Sequence, residues 1–263
     1  MDLSLSPTPF ADVNIVLHDF LVKIQSILGD QFVGLYLHGS LALGDFDPRT
    51  SDIDFIVLAR EAIGENQFEA LREMHTIFNQ SNSPWSKKIE AAYIPLDALN
   101  HPSPSTTLYP QIEKETELLR SPLEIGWAFQ RHTLREHGLI ASGPAPRSLI
   151  DSVDQTEMHR AAAVILRGWE EQSLHDPSWI AWAHQRGSQV FIILTICRIR
   201  YSLATGDVAS KPEAARWAKA TLEPRWIPMI DRALPSPHDE HKNSDSNFKE
   251  MLAFLHDTLL QLE

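Results

Sequence analysis

Cysteine is almost missing from this chain of 263 residues. Cys197 stands alone, so no intrachain disulfide can form, and a reducing, cytoplasmic setting is expected. Its place in an apolar helical pattern reads as core packing rather than as a nucleophile. Long apolar runs are missing too. Val190–Leu194 is followed at once by Thr195 and soon by Arg198 and Arg200. That is far short of the roughly 20 residues a membrane span needs, so no membrane partner is expected. The opening stretch, MDLSLSPTPFADV, has acids and no basic segment, so no signal peptide is expected. Positive charge is scarce: 23 Lys and Arg face 35 Asp and Glu, a net charge of −12. This balance argues against a nucleic-acid backbone as the main partner and suits a cationic small molecule. There is no internal repeat and no heptad seam. Hydrophobic content of 43% and charged content of 22% are those of an ordinary globular protein. The length suits one large domain or two ordinary ones.

What is present is organised around Gly34–Leu58, GLYLHGSLALGDFDPRTSDIDFIVL. It reads as an apolar strand, a Gly39-Ser40 turn, the short apolar segment Leu41–Leu43, an irregular loop and a second apolar strand beginning Asp52-Ile53-Asp54. Side chains alternate along a strand, so Asp52 and Asp54 point the same way, about 7 Å apart. Two carboxylates at the head of a buried strand repel. Unit charges at about 4 Å cost roughly 4 kcal/mol at an effective dielectric near 20. A divalent cation removes that cost, and Mg²⁺ favours one or two carboxylates together with substrate phosphates. Backbone N–H groups and the hydroxyl of the Gly39-Ser40 turn suit a phosphate. The stretch points to metal-dependent chemistry on a nucleotide.

Around it the chain reads in order. Residues 12–28 form an amphipathic helix ended by Gly29-Asp30. Asn66–Phe78 is a second helix, and Gln80–Pro84 a loop. Lys88–Leu96 is a third strand, with Ile89, Ala91 and Tyr93 on one face and Glu90, its only acid, on the other. Residues 97–122, punctuated by four prolines, read as a long excursion with at most a short strand. A helix over Ile125–Glu136 and a loop over Gly138–Pro146 follow, with a domain boundary at Gly143–Pro146. Beyond it the pattern is purely helical. Helices are expected at Thr156–Ser173, Trp179–Leu203, Pro212–Leu222 and Glu223–Leu234. A polar loop, Pro235–Asn243, leads to a last helix capped by Ser244.

The pattern Gly39-Ser40, eleven residues, Asp52-x-Asp54 resembles the signature of the DNA polymerase β-like nucleotidyltransferases. The runs LREHGLIASGP (Leu134–Pro144) and LTICRIRYSLATGDVASKPEAARWA (Leu194–Ala218) are similar to the domain junction and a helix-turn-helix segment of one subgroup. That subgroup is the aminoglycoside 3″/9-adenylyltransferases, which act on streptomycin and spectinomycin. The resemblance covers most of the chain in consistent order. It implies an α+β fold, with a mixed-sheet nucleotidyltransferase domain at residues 1–150 and an all-α bundle at 151–263. It implies ATP as co-substrate, two Mg²⁺ ions and a cationic acceptor hydroxyl, with the enzyme a monomer. Carried over, Gly39 and Ser40 hold the triphosphate and Asp52 and Asp54 ligate Mg²⁺. Glu90 takes the place of the family's third carboxylate and acts as general base. Lys211 reaches a phosphate across the cleft, with Arg198 assisting.

One stretch departs from the pattern. Where the family has acids that recognise the antibiotic, this chain has His184-Gln185-Arg186-Gly187-Ser188-Gln189. Two alternatives therefore stay open. One is the same chemistry on another acceptor, a protein side chain or an RNA end. The other is a nucleotide-binding regulator without catalysis, which the three carboxylates argue against.

Overall fold

The structure is a computed structural model that describes residues 6–100, 106–123, 126–234 and 245–262. By internal contacts the chain divides into two compact units, with the break between Ser152 and Val153. Among the described residues, no helix is long and apolar enough to cross a membrane.

The first unit is a six-stranded mixed sheet with helices on both faces. In chain order it comprises α1 (Ala11–Leu28), β1 (Phe32–Leu37), α2 (Gly39–Ala42), β2 (Ile53–Ala59), α3 (Glu65–Asn79) and β3 (Ile89–Pro95). There follow α4 (Leu96–Asn100), β4 (Tyr109–Ile112), β5 (Leu119–Ser121), α5 (Trp127–His137) and β6 (Leu139–Ser142). The strand order is β5-β4-β3-β2-β1-β6. Only β2 and β3 run parallel; the other neighbours are antiparallel.

The two faces follow from strand alternation. Leu35, Leu37, Phe55, Val57, Ala91 and Tyr93 pack against α1 and α3, through Phe20, Ile24, Leu71 and Phe78 among others. The alternate residues Tyr36, Ile56, Leu58 and Ile94 meet Leu99, Trp127 and Leu134 on α4 and α5. Asp54 and Glu90 share the parity of this second set. They lie at the ends of β2 and β3 where those strands begin.

Three expectations need correction here. Residues 97–122 hold two strands, β4 and β5, besides the short helix α4. Pro110 lies within β4, where it pairs with Arg120, and the short strands leave too little alternation to read. The supposed loop Gly138–Pro146 contains β6, which pairs with β1 and closes that edge of the sheet. Its backbone is held by the ladder, and Tyr36 Oη donates to Pro144 O at 2.9 Å just beyond it. The Gly39-Ser40 turn is the start of the short helix α2.

The second unit is all helical: α6 (Gln155–His175), α7 (Pro177–Ala183), α8 (Arg186–Thr205), α9 (Lys211–Thr221), α10 (Ile227–Ala233) and α11 (Asp245–Leu260). The apolar α8 supplies its centre through Ile192, Ile193, Ile196, Cys197 and Ile199. Burial pushes the Cys197 thiol up to about 12, so it packs as a small apolar group. Gly206, at φ 75, closes α8 in the left-handed region. Arg200 on α8 and Arg225 before α10 both pair with Asp257 on α11, at 3.1 and 2.8 Å.

The single helix expected over Trp179–Leu203 is two. His184 N–H and Gln185 N–H close α7 on Ile180 O and Trp182 O, and Gln185 then turns extended as the N-cap of α8. Only His184 and Gln185 separate the two helices; Arg186 onward, Gly187 included, is already helical. The helix expected at Glu223–Leu234 begins as a 3-10 turn, Pro224–Trp226. The expected loop Pro235–Asn243 and the Ser244 cap lie outside the described residues.

Candidate active site

The candidate site is built at the starting ends of β2 and β3. Asp54 and Glu90 are Cα partners in the parallel ladder, so their side chains leave one face side by side. Their flanking residues Ile53 and Ile89 are buried on the opposite face and fix which way the acids point. Strand pairing thus brings Glu90 beside Asp54, as chain order alone could not.

Asp52 is the last residue of the loop before β2, not the first of the strand. That loop is well tethered. Asp47 accepts from Arg49 N–H at 3.0 Å and pairs with the Arg49 guanidinium at 2.8 Å. These contacts hold the Asp47 carboxyl down at about 2. Asp47 N–H donates to Ser51 Oγ at 3.0 Å, and Lys88 Nζ donates to Arg49 O at 3.1 Å. Phe46 wedges between Phe10 and Trp85, with ring centroids at 4.8 and 5.6 Å. Asp52 is therefore delivered to the strand head by a fixed backbone.

Gly39 lies directly over Asp54. His38 N–H donates to Asp54 O at 3.1 Å, which seats the start of α2 on β2. At φ +59 Gly39 adopts a conformation that other residues resist, and a Cβ there would stand 2.1 Å from Asp54 Oδ2. Both facts require glycine. Ser40 follows half-buried, and its carbonyl accepts from Asp45 N–H at 3.0 Å. Replacing Gly39 with alanine should push the Asp54 carboxylate aside. The expected loss of transfer is about a hundredfold, since catalysis falls that much for displacements near 1 Å. A Gly39→Ala enzyme within about threefold of wild type would show that this contact does not set the carboxylate position.

The residues fit a divalent cation. Asp52 Oδ1 is buried, and the Lys114 ammonium lies 3.2 Å from it, so a positive charge already stands where a cation would bind. The same ammonium donates to Asp52 Oδ2 at 3.4 Å. Hard carboxylate oxygens of this kind suit Mg²⁺. Lys114 escaped the sequence reading. It is 62 residues from Asp52 and lies in a turn between two strands with weak signals.

Two of the expected phosphate ligands belong to the helical unit. Lys211 opens α9 as an exposed side chain, next to the N-cap Ser210, whose hydroxyl accepts from Glu213 N–H at 3.3 Å. Arg198 on α8 donates through Nε to Ala209 O at 3.1 Å, which braces the segment leading to Lys211.

Comparison with known proteins gives two family matches. Residues 21–120 match the nucleotidyltransferase domain, and residues 148–261 match the C-terminal domain of aminoglycoside adenylyltransferases. Together the two matches span most of the chain, a nucleotidyltransferase domain followed by the C-terminal domain of aminoglycoside adenylyltransferases. An aminoglycoside (3″)(9) adenylyltransferase of Shigella flexneri is 25% identical, over 94% of this chain and 93% of the relative. A spectinomycin 9-adenylyltransferase of Staphylococcus aureus is also 25% identical, over 80% and 79%. A spectinomycin adenyltransferase of Enterococcus faecialis, solved with ATP and spectinomycin, shares the fold at a TM-score of 0.70 and 16% identity, over 94% of this chain and 99% of its own. The enzyme is a nucleotidyltransferase, with the α+β architecture expected of one.

Proposed function

We propose that this enzyme transfers AMP from ATP to a hydroxyl of an aminoglycoside or aminocyclitol, releasing pyrophosphate. The observation that carries the reading is the in-register pairing of Asp54 with Glu90, beside Asp52 and under Gly39. Asp52 and Asp54 are the groups that would hold two Mg²⁺ ions, which neutralise the charge that develops on the attacking and leaving oxygens. Gly39 and Ser40 bind the triphosphate through backbone N–H groups and a hydroxyl. Lys211 and Arg198 are assigned to the phosphates as well. Glu90 accepts the proton from the acceptor hydroxyl, as a general base within hydrogen-bond reach would. Positioning and charge neutralisation, rather than covalent chemistry, carry the rate. The net charge of −12 favours a cationic acceptor by long-range attraction.

The stretch 184–189 favours a second reading, the same chemistry on a different acceptor. Its side chains are engaged within the helical unit. His184 stacks on Phe248 at 4.0 Å between ring centroids, and Arg186 donates to Arg232 O. Gln189 is buried and donates to His184 O at 3.2 Å. None of the six is an acid.

The test is pyrophosphate release from ATP and Mg²⁺ across a panel of aminoglycosides and aminocyclitols, streptomycin and spectinomycin included. Release with a panel member, lost in Asp52→Ala, is the expected result and names the acceptor. Silence across the panel from a protein that binds ATP would overturn the antibiotic acceptor and favour the second reading.

A further inference from the structure

The turn between β4 and β5 is built to put a lysine on a carboxylate. Glu113 N–H donates to Thr116 Oγ1 at 3.1 Å, and the same hydroxyl donates back to Glu113 O at 2.8 Å, which closes the turn. Its tip is tied down on two sides. Glu115, at φ 63, donates its N–H to Lys87 O at 3.1 Å, just before β3. Asn79, at the end of α3, donates to Thr116 O at 3.1 Å. Glu113, Glu115 and Glu117 flank Lys114 in sequence. Lys114 reaches instead to both carboxylate oxygens of Asp52, at 3.2 and 3.4 Å.

We propose that Lys114 is the resident counter-ion of Asp52 in the nucleotide-free enzyme and competes with the divalent cation for that carboxylate. The inference rests on the metal reading given above. Asp52, Asp54 and Glu90 concentrate negative charge at the strand heads, and an ammonium on Asp52 relieves their repulsion before any ligand arrives. A cation that takes Asp52 must displace the ammonium from the same oxygens. Free metal therefore binds weakly, and metal arriving with a triphosphate binds well because the phosphates supply further ligands. Lys114 is a positioning residue for the carboxylate, with 42% of its side chain exposed, so it can swing into solvent when displaced.

Mn²⁺ binding to the nucleotide-free protein, followed by calorimetry or by the loss of the free-ion resonance, tests this without turnover. Lys114→Met should bind Mn²⁺ about fivefold more tightly than wild type, the scale expected for a partly exposed ion pair. Lys114→Arg, which keeps the charge, should stay near wild type. Lys23→Met makes the same change of net charge at a lysine that pairs with Asp19, and should show no gain. The gain should vanish when Asp52→Asn is added to Lys114→Met. Equal Mn²⁺ affinity in wild type and a folded Lys114→Met overturns the competition while the metal reading stands. Absence of Mn²⁺ binding in both proteins, even with ATP present, overturns the metal reading and this inference with it.

Discussion

Asp54→Asn should lower pyrophosphate release about a thousandfold and leave the sheet folded. The two halves of that result have separate causes. Asparagine has nearly the shape of aspartate, and Ile53 and Phe55 on either side are fully buried, so β2 keeps its place. The backbone contact to His38 N–H uses the Asp54 carbonyl and is untouched. The change removes one negative charge beside Glu90. Transfer has much to lose, because a group that ligates Mg²⁺ and steadies transition-state charge is worth two to three orders of magnitude or more. Glu90→Gln separates the roles further. It should retain ATP binding and lose transfer, since glutamine accepts no proton from the acceptor. Stability by thermal melting and turnover by pyrophosphate release check both variants. Full turnover in Asp54→Asn, or wild-type transfer in Glu90→Gln, would remove the respective residue from the proposed mechanism.

The legible part of this site is the part written locally. The Asp52-x-Asp54 spacing at a strand head, and the glycine before it, are short-range features, and the structure gives each a physical reason. Gly39 is required by its φ and by the carboxylate under it. Glu90 was legible because it is the single acid on its strand, and the ladder then placed it against Asp54. The helical half read well where capping chemistry is strong. Pro212 marks the start of α9, and Gly206 marks the end of α8. What escaped depends on contacts distant in sequence. β6 has the composition of a loop and becomes a strand because β1 offers an open edge. β4 contains a proline and β5 has three residues, so neither has enough alternation to announce itself. Lys114 reaches Asp52 only through the hairpin that those two strands make.

Acid should destabilise this protein through His75, one of its buried histidines. His75, on α3, is 1% exposed, and its Nε2 shares a hydrogen bond of 2.7 Å with Tyr93 Oη on β3. Its Nδ1 is buried without a hydrogen-bond partner, so an imidazolium would leave a proton there with nothing to accept it. Burial pushes the His75 pKa down to about 3 and that of Tyr93 well above its ordinary value. The unfolded chain holds its histidine near 6.5. Between about 6.5 and 3 the unfolded state therefore binds a proton that the folded state refuses. The sign follows: the stability that neutral His75 contributes is present above pH 6.5 and is lost as the pH falls toward 3. The slope is about 1.4 kcal/mol per pH unit, so moving from pH 7 to 5 should cost about 2 kcal/mol. At pH 5 the carboxylates are still largely ionised, and comparison with His75→Gln separates this histidine from the others. His75→Gln keeps a side chain able to meet the Tyr93 hydroxyl and removes the titration. It should lower stability at pH 7 and flatten the pH dependence between 7 and 5. Denaturant unfolding of both proteins at the two pH values gives the comparison. Equal losses in wild type and His75→Gln would place the acid sensitivity elsewhere.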